Sequence, residues 1–503
     1  MPAHLPRTIS RPLPLLCLLG AFGIASLVAA AHARSQGRSY YVDPAGNDSN
    51  SGANPNSPWR SVAKVNALAF APGDTVSFKR GGLWRETLEP HRGGAPGRPV
   101  TFTAYGSGPQ PVINGSDVIS GWTPGGGGIY RAHSEKPGNV YVDGRPGWGL
   151  IHACCAPGSP CAPSGSCAVG PMEPGSWRWD AATAELSVWM PDGSNPGAHT
   201  IEAATRTFGM NVVGNGGEKS NLVVNGITFE RTAGGGLYFF SNAEGGAGLT
   251  GIVVRNCTVT QTGTGHIDDG SYYNGIHYAQ HVEMPTAPIF AHNRISFTGN
   301  HGNGINSQAA DNAQLLDNDV SQFNHNGLDM KHSKGDLVRG NIVHDSFDTN
   351  AIYQEYCAGG IIENNVIYNV PGTRAGRGSG IQIDIDSTGA RIFNNSIYHV
   401  FTGLYLIHPA TVQYNAIANA THAVVDAKEG GEFAYNVWGP SPVFLLNNRR
   451  YDIAGWKLAG HPDDLAGDPM WIDPARGNFS VPPTSPLIAA RAGITAALHS
   501  AMH

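Results

Sequence analysis

Three residues in this sequence have the types and spacing that chemistry on a polymer would need. Lys331, Glu355 and Asp384 follow one another at intervals of 24 and 29 residues. Each stands four residues after a Gly or Ala that opens a short apolar stretch: Gly327-Leu328, Ala351-Ile352 and Gly380-Ile381. Two residues after the same Gly or Ala come Asp329, Tyr353 and Gln382. A lysine among carboxylates supports two reactions. As a base it takes an acidic carbon-bound proton while a cation neutralises the neighbouring carboxylate. A pair of carboxylates on its own supports glycoside hydrolysis, one giving a proton and the other attacking or activating water.

The elements that would hold these residues repeat. The Gly/Ala-apolar pattern occurs at Gly236-Leu237, Gly275-Ile276, Gly304-Ile305, Gly327-Leu328, Ala351-Ile352, Gly380-Ile381 and Gly403-Leu404, with a worn copy at Ala423-Val424. Between these lies a second motif, an Asn before an alternating apolar stretch, at Asn256, Asn293, Asn318, Asn341, Asn365, Asn395 and Asn415. Its intervals run from 20 to 37 residues, the length of one solenoid coil with loops of varying size. Period-two alternation makes each Gly/Ala segment a short strand with one face in the core. Stacked coils then place Leu237, Ile276, Ile305, Leu328, Ile352, Ile381, Leu404 and Val424 in one internal ladder. The repeated Asn residues are expected to stack at turns in left-handed geometry. The predicted fold is all-β: a right-handed parallel β-helix, a single-stranded β-solenoid, with a small β-rich insertion. A β-sandwich would require no such Asn register.

The same register defines two outward ladders. The first is Tyr238, His277, Asn306, Asp329, Tyr353, Gln382 and Tyr405; the second is Phe240, Ala279, Gln308, Lys331, Glu355, Asp384 and Ile407. Neighbouring rungs stand about 4.8 Å apart. Lys331, Glu355 and Asp384 form the predicted catalytic row, with Asp329, Asp268 and Asp269 as metal-binding carboxylates. His277, Asn306, Gln308, Tyr353 and Gln382 on the ladders, and His301, His325, Arg374 and Arg377 in the loops entering them, are expected to bind substrate. Asp345 and Asp348 are expected on the same side. The competing structural reading is a solvated β-face laced with weak salt bridges.

Before the repeat, Tyr40-Tyr41-Val42-Asp43-Pro44-Ala45-Gly46-Asn47-Asp48 leads into Ser57-Pro58-Trp59-Arg60-Ser61-Val62. Ala71-Pro72-Gly73-Asp74-Thr75-Val76, Gly81-Gly82-Leu83-Trp84-Arg85-Glu86 and Pro111-Val112-Ile113-Asn114-Gly115 follow. With the repeats, this closely resembles extracellular carbohydrate-active enzymes of the pectate lyase superfamily over most of the chain. That resemblance implies the fold; polysaccharide lyases, some glycosidases and proteins without known activity share it. It favours a lyase acting on a uronate polysaccharide by β-elimination, with Lys331 as base and Ca²⁺ held by the exposed carboxylates. Glu355 occupies a rung where alginate and chondroitin lyases of this fold carry Arg. Asp329 and Glu355 would also keep Lys331 protonated unless a bound cation reversed the local field. The alternatives are a glycoside hydrolase using Glu355 and Asp384, an epimerase, and a non-catalytic glycan-binding β-helix.

The remaining segments frame this body. Residues 1–33 read as a signal peptide: Arg7 and Arg11, an apolar run from Leu13 to Val28, and a cleavage site at Ala31-His32-Ala33. Residues 34–120 form the N-terminal cap and first coils. Residues 121–205 form an inserted subdomain with Trp122, Trp148, Trp177, Trp179 and Trp189; the tryptophans are read as filling a small core rather than as a sugar platform. Its Cys154, Cys155, Cys161 and Cys167 suit two disulfides in an exported chain, since adjacent Cys154 and Cys155 are poorly placed for zinc. Cys257 and Cys357 are expected as small buried hydrophobes. Residues 206–440 form the main β-helix and residues 441–503 a loop-rich cap over the last coil. With 503 residues, 67 of them Gly and 35 Pro, 14% charged and a net charge of −6, the chain has many turns and no basic stripe for nucleic acid. No stretch reads as a membrane span, and an exported, soluble monomer is expected.

Overall fold

The computed structural model describes residues 37–147, 149–152, 171–214, 217–242, 248–263, 274–299, 302–346, 349–374 and 376–493. The leader, Trp148, the four clustered cysteines, Asp268, Asp269, His301 and Asp348 lie outside these residues.

Each coil is three short parallel strands. One is Gln314–Leu316, Asp319–Ser321 and Leu328–Lys331; the next is Leu337–Arg339, Ile342–His344 and Ile352–Glu355, paired strand for strand. The first strands of successive coils form a twelve-stranded parallel sheet from Ser39–Val42 to Glu432–Ala434. The chain folds as a parallel β-helix. The strands that carry the polar ladders are β1 (Leu237–Ser241), β2 (Ile276–Met284), β3 (Ile305–Ala310), β4 (Leu328–Lys331), β5 (Ile352–Glu355), β6 (Ser379–Ile383), β7 (Ser396–Leu406) and β8 (Ala416–Ala427).

The internal ladder runs Leu237, Ile276, Ile305, Leu328, Ile352, Ile381 and Leu404 in direct register, every member fully buried. Its next member is Val425, not Val424. Between β7 and β8 the register slips: Val400 pairs with Ala420, but Thr402 pairs with Ala423. The extra residue on β8 is a bulge, and it shifts every later side chain by one position. Gly before the ladder residue is a packing requirement: a Cβ on Gly327 would lie 2.6 Å from the Ala351 carbonyl oxygen and 2.5 Å from Val343 Cγ1.

The Asn stack is present but shifted by one rung, starting at Asn293 and running on to Asn436. Asn293, Asn318, Asn341, Asn365, Asn395, Asn415 and Asn436 each donate Nδ2 to the side-chain oxygen of the next, at 2.9–3.1 Å, ending on Asp464 Oδ1. That oxygen also takes the preceding Asn's backbone N–H, so one buried amide satisfies donors from two groups. Two details differ from expectation. Asn256 is not a rung: Cys257 N–H donates to Asn293 Oδ1, and buried Cys257 fills the ladder position. The left-handed residue is the one before each rung, at Asn256, His292, Asp317, Asn364, Asn394, Tyr414 and Tyr435, rather than the ladder Asn itself.

The ends and the insert are closed by aromatic side chains. Ser61 caps the helix Val62–Asn66, which buries Val62 and Val65 at the first coil. The helix Ile453–Leu458 buries Trp456 against Phe433 and Phe444, with Trp456 Nε1 donating to Asp464. In the insert, Ser176–Asp180 and Glu185–Trp189 pair as an antiparallel hairpin. Trp177 is buried among Leu186, Val188, Val140 and Ile201, with Trp122 and Trp179 packed alongside, so these tryptophans form a core. Glu202 fastens the insert to the coils: it is buried and ion-paired to both Arg85 (2.7 Å) and Arg231. Cys257 and Cys357 are free and buried.

Candidate active site

Strand register places the predicted groups together. On the first ladder Tyr238, His277, Asn306, Asp329, Tyr353, Gln382 and Tyr405 pair in order. On the second, Phe240, Ala279, Gln308, Lys331 and Glu355 do the same. Asp384 follows β6 and continues the row, its N–H donating to the Gln354 carbonyl at 2.8 Å.

The two ladders differ in exposure. His277, Asn306, Asp329 and Gln382 are buried, each at most 4% exposed. Lys331, Glu355, Tyr353 and Asp384 are half-buried beside them. The wall therefore has a sunken polar row and a solvent-facing charged row.

Lys331 Nζ lies 3.1 Å from Glu355 Oε2 and 3.9 Å from Asp329 Oδ2, and 5.5 Å from the Tyr353 ring centre. Burial pushes the Asp329 carboxyl up to about 6, against the opposing pull of Lys331 and of hydrogen bonds from Asn326 and Asn306. Asp384 is held by three donors: Tyr353 Oη at 2.8 Å, Gln382 Nε2 at 2.7 Å and the Ile385 N–H at 2.8 Å. Burial, then that bond to Asp384, raises the Tyr353 phenol far above its usual range, so it stays a donor. Gln382 Oε1 is buried and has no hydrogen-bond partner among the described residues. Burial brings His277 down to about 4, so its ring is neutral near pH 7. Its Nδ1 meets Asn274 Nδ2 at 2.8 Å, and Asn306 links it to Asp329 through a 3.3 Å bond.

The loop residues divide. The turn holding Arg374 and Arg377 leans over the wall: a Cβ on Gly376 would sit 3.8 Å from Tyr405 and 3.9 Å from Gln382. His325 instead serves a turn, its Nδ1 2.8 Å from Asn303 Oδ1. Asp345 faces away from the row, onto His344 and Asn369. Gln308 is half-buried beside Lys331.

Three features escaped sequence reasoning. The bulge on β8 brings Asp426 into register with Tyr405, and Lys428 Nζ lies 2.8 Å from it. The wall thus ends in a second Asp-x-Lys strand like Asp329-Met330-Lys331. Next to the charged row, the His332 and Tyr356 rings stack at 4.6 Å with Tyr356 exposed. A second Asn stack precedes the Gly/Ala positions: Asn274 Oδ1 accepts from the Asn303 N–H, and Asn303 Oδ1 from the Asn326 N–H. The Asn-Gly pairs at 274, 303 and 326 were its visible signal.

Residues 290–436 match the family described as "Right handed beta helix region". The chain carries a right-handed β-helix. The solved complex of XylC with xylose is similar at a TM-score of 0.55 with 11% identity, covering 86% of this chain and 87% of that one. Pectate lyase Pel9A gives a TM-score of 0.40 with 14% identity over 82% of this chain and 78% of its own. A lacto-N-biosidase of Bifidobacterium longum subsp. longum is 37% identical over 92 residues, 17% of this chain and 6% of that enzyme. The match thus spans a small part of that relative's length. The likeness to XylC speaks for the fold, and the chemistry rests on the wall itself.

Proposed function

We propose that this protein is an exported carbohydrate-active enzyme that hydrolyses glycosidic bonds in a polysaccharide laid along the polar wall. The observation that carries the reading is the ion pair of Lys331 with Glu355. An ammonium in an ion pair has no lone pair with which to take a proton, so Lys331 serves as a fixed charge rather than a base. The groups left to react are Glu355 and Asp384 on neighbouring rungs, about 4.8 Å apart along the wall, near the ~5–5.5 Å separation of retaining carboxylate pairs. Asp384, oriented by Tyr353 and Gln382, is the attacking carboxylate; Glu355 becomes the acid once bound sugar draws Lys331 off it and it takes up a proton, which it gives to the leaving oxygen and recovers from the water that frees the sugar. The exposed Tyr356 ring offers a stacking face to sugar.

The position of Lys331 between the carboxylates supports a second reading, β-elimination on a uronate polymer with Lys331 as base. Among the described residues no group of His, Cys, Asp or Glu is arranged to hold a metal ion, and Asp268 and Asp269 lie outside them. In this reading Ca²⁺ on the carboxylates, Asp329 among them, would neutralise the uronate. Export rests on the leader and on the resemblance to extracellular enzymes; among the described residues no helix is long and apolar enough to cross a membrane.

Substitution separates the two reactions. Hydrolysis requires that Glu355→Gln and Asp384→Asn each lose about 100-fold or more in turnover, while Lys331→Ala keeps measurable cleavage. Complete loss in Lys331→Ala with activity retained in Asp384→Asn would reverse the assignment.

A further inference from the structure

The insert holds a second cluster of reactive side chains. The strand Asn139–Val142 ends at Asp143, and His199 lies two residues before the strand Ile201–Ala204. Asp143 occupies the left-handed region at φ 51°, a conformation that surrounding contacts must stabilise. Its N–H donates to the Thr200 carbonyl at 2.8 Å, and its Oδ1 accepts from the Thr200 N–H at 3.0 Å. Its Oδ2 lies 2.8 Å from His199 Nδ1, and His199 Nε2 lies 2.9 Å from Ser194 Oγ. A carboxylate on Nδ1 fixes the proton there and leaves Nε2 to take the serine proton. The chain order Asp143, Ser194, His199 carries no sequence motif, so only geometry brings the three together.

His199 and Asp192 line a cleft of about 300 Å³ with Arg145, Leu150, Met190 and Pro191. That volume is at the small end of ligand sites and suits a short acyl group. Asp192 Oδ1 takes the Ser194 N–H at 3.0 Å and lies 2.6 Å from its Oγ, so it holds the turn and competes for the hydroxyl proton. The hydrogen bond from His199 holds the Asp143 carboxyl below its usual range. The Arg145 guanidinium, 3.8 Å from Asp143, supplies positive charge at the cleft.

We propose that Ser194, His199 and Asp143 form an acyl-transfer site that hydrolyses small carboxylic esters. Ser194 Oγ bonds to the acyl carbon as its proton passes to His199 Nε2. The ester C–O bond breaks and the alcohol leaves with that proton. Water, deprotonated by His199, then attacks the acyl-serine, releasing the acid and restoring the hydroxyl. Arg145, beside Asp143, adds positive charge at the cleft, and Asp143 positions the ring.

The test uses the full chain with p-nitrophenyl acetate and, separately, a fluorophosphonate probe read by peptide mass spectrometry. Wild type is expected to hydrolyse the ester and to label at Ser194. Ser194→Ala and His199→Gln should each fall at least about 100-fold in ester hydrolysis. A folded wild type no faster than Ser194→Ala, or labelling that spares Ser194, would overturn the proposal and leave a turn clamp. Glycan cleavage should be unchanged in Ser194→Ala, so failure here is distinct from failure of the polar wall.

Discussion

Lys331 Nζ stands 3.1 Å from Glu355 Oε2, across one rung of the stacked sheet. Both groups are about a fifth to a quarter exposed, so the pair is screened but not fully hydrated. Lys331→Ala should leave Glu355 without its fixed counter-charge and shift the pH profile of cleavage. Lys331→Arg should restore most of the profile, because the charge returns even though the geometry changes. Rates measured across pH 4–9 in the three proteins check this.

Asp329 makes a separate pH prediction. Burial raises its folded-state carboxyl to about 6, above an ordinary value of 3.8. The folded chain therefore holds this proton more tightly than the unfolded chain. Stability from this group is fully present below about pH 4 and is lost as pH rises through 6. Asp329→Asn removes the dependence, so it should gain on wild type above pH 6 by up to about 3 kcal/mol, since each tenfold difference in proton affinity is worth roughly 1.4 kcal/mol. Denaturant unfolding at pH 5 and pH 8 measures it; an equal difference at both values counts against the buried ionisation.

The Asn stack should be a main stabilising element. Asn341 bonds Asn318 and Asn365 through side chains and also donates to the Leu315 carbonyl. Asn341→Ala strands buried donors and acceptors on both neighbours, which should cost about 1–3 kcal/mol. Asn256→Ala, outside the stack, should cost less. Matching losses in the two variants would mean that the stack contributes little.

The leader and the cysteine cluster lie outside the described residues but make chemical predictions. Protein recovered from culture medium should begin near Arg34. Its intact mass should rise by about four units on reduction, for two disulfides. Four alkylatable thiols before reduction would remove the disulfides.

Much of this architecture was legible because period-two alternation fixes a strand's register from a single Gly or Ala. Leu237 to Leu404 and the Lys331–Glu355–Asp384 row follow from that rule alone. It failed at β8, where one bulged residue moved the ladder from Val424 to Val425 and concealed Asp426 and Lys428. Asn256 misled because left-handed Asn and stacked Asn look alike in sequence, while Cys257 holds the rung. Burial of Asp329 and His277 depends on neighbouring rungs, which no local window contains. Asp143, Ser194 and His199 meet through the pairing of two distant strands, so their spacing carried no signal.

The central claim concerns the bond-breaking chemistry at the wall between Lys331 and Asp384. Purified protein should be incubated with a panel of acidic and neutral glycans in ¹⁸O-labelled water, and the products of any cleaved glycan weighed. Hydrolysis predicts one added water per bond cut, one ¹⁸O at each new reducing end, and no absorbance from unsaturated uronates. Products that carry a double bond and no ¹⁸O would contradict it and return Lys331 to the role of base.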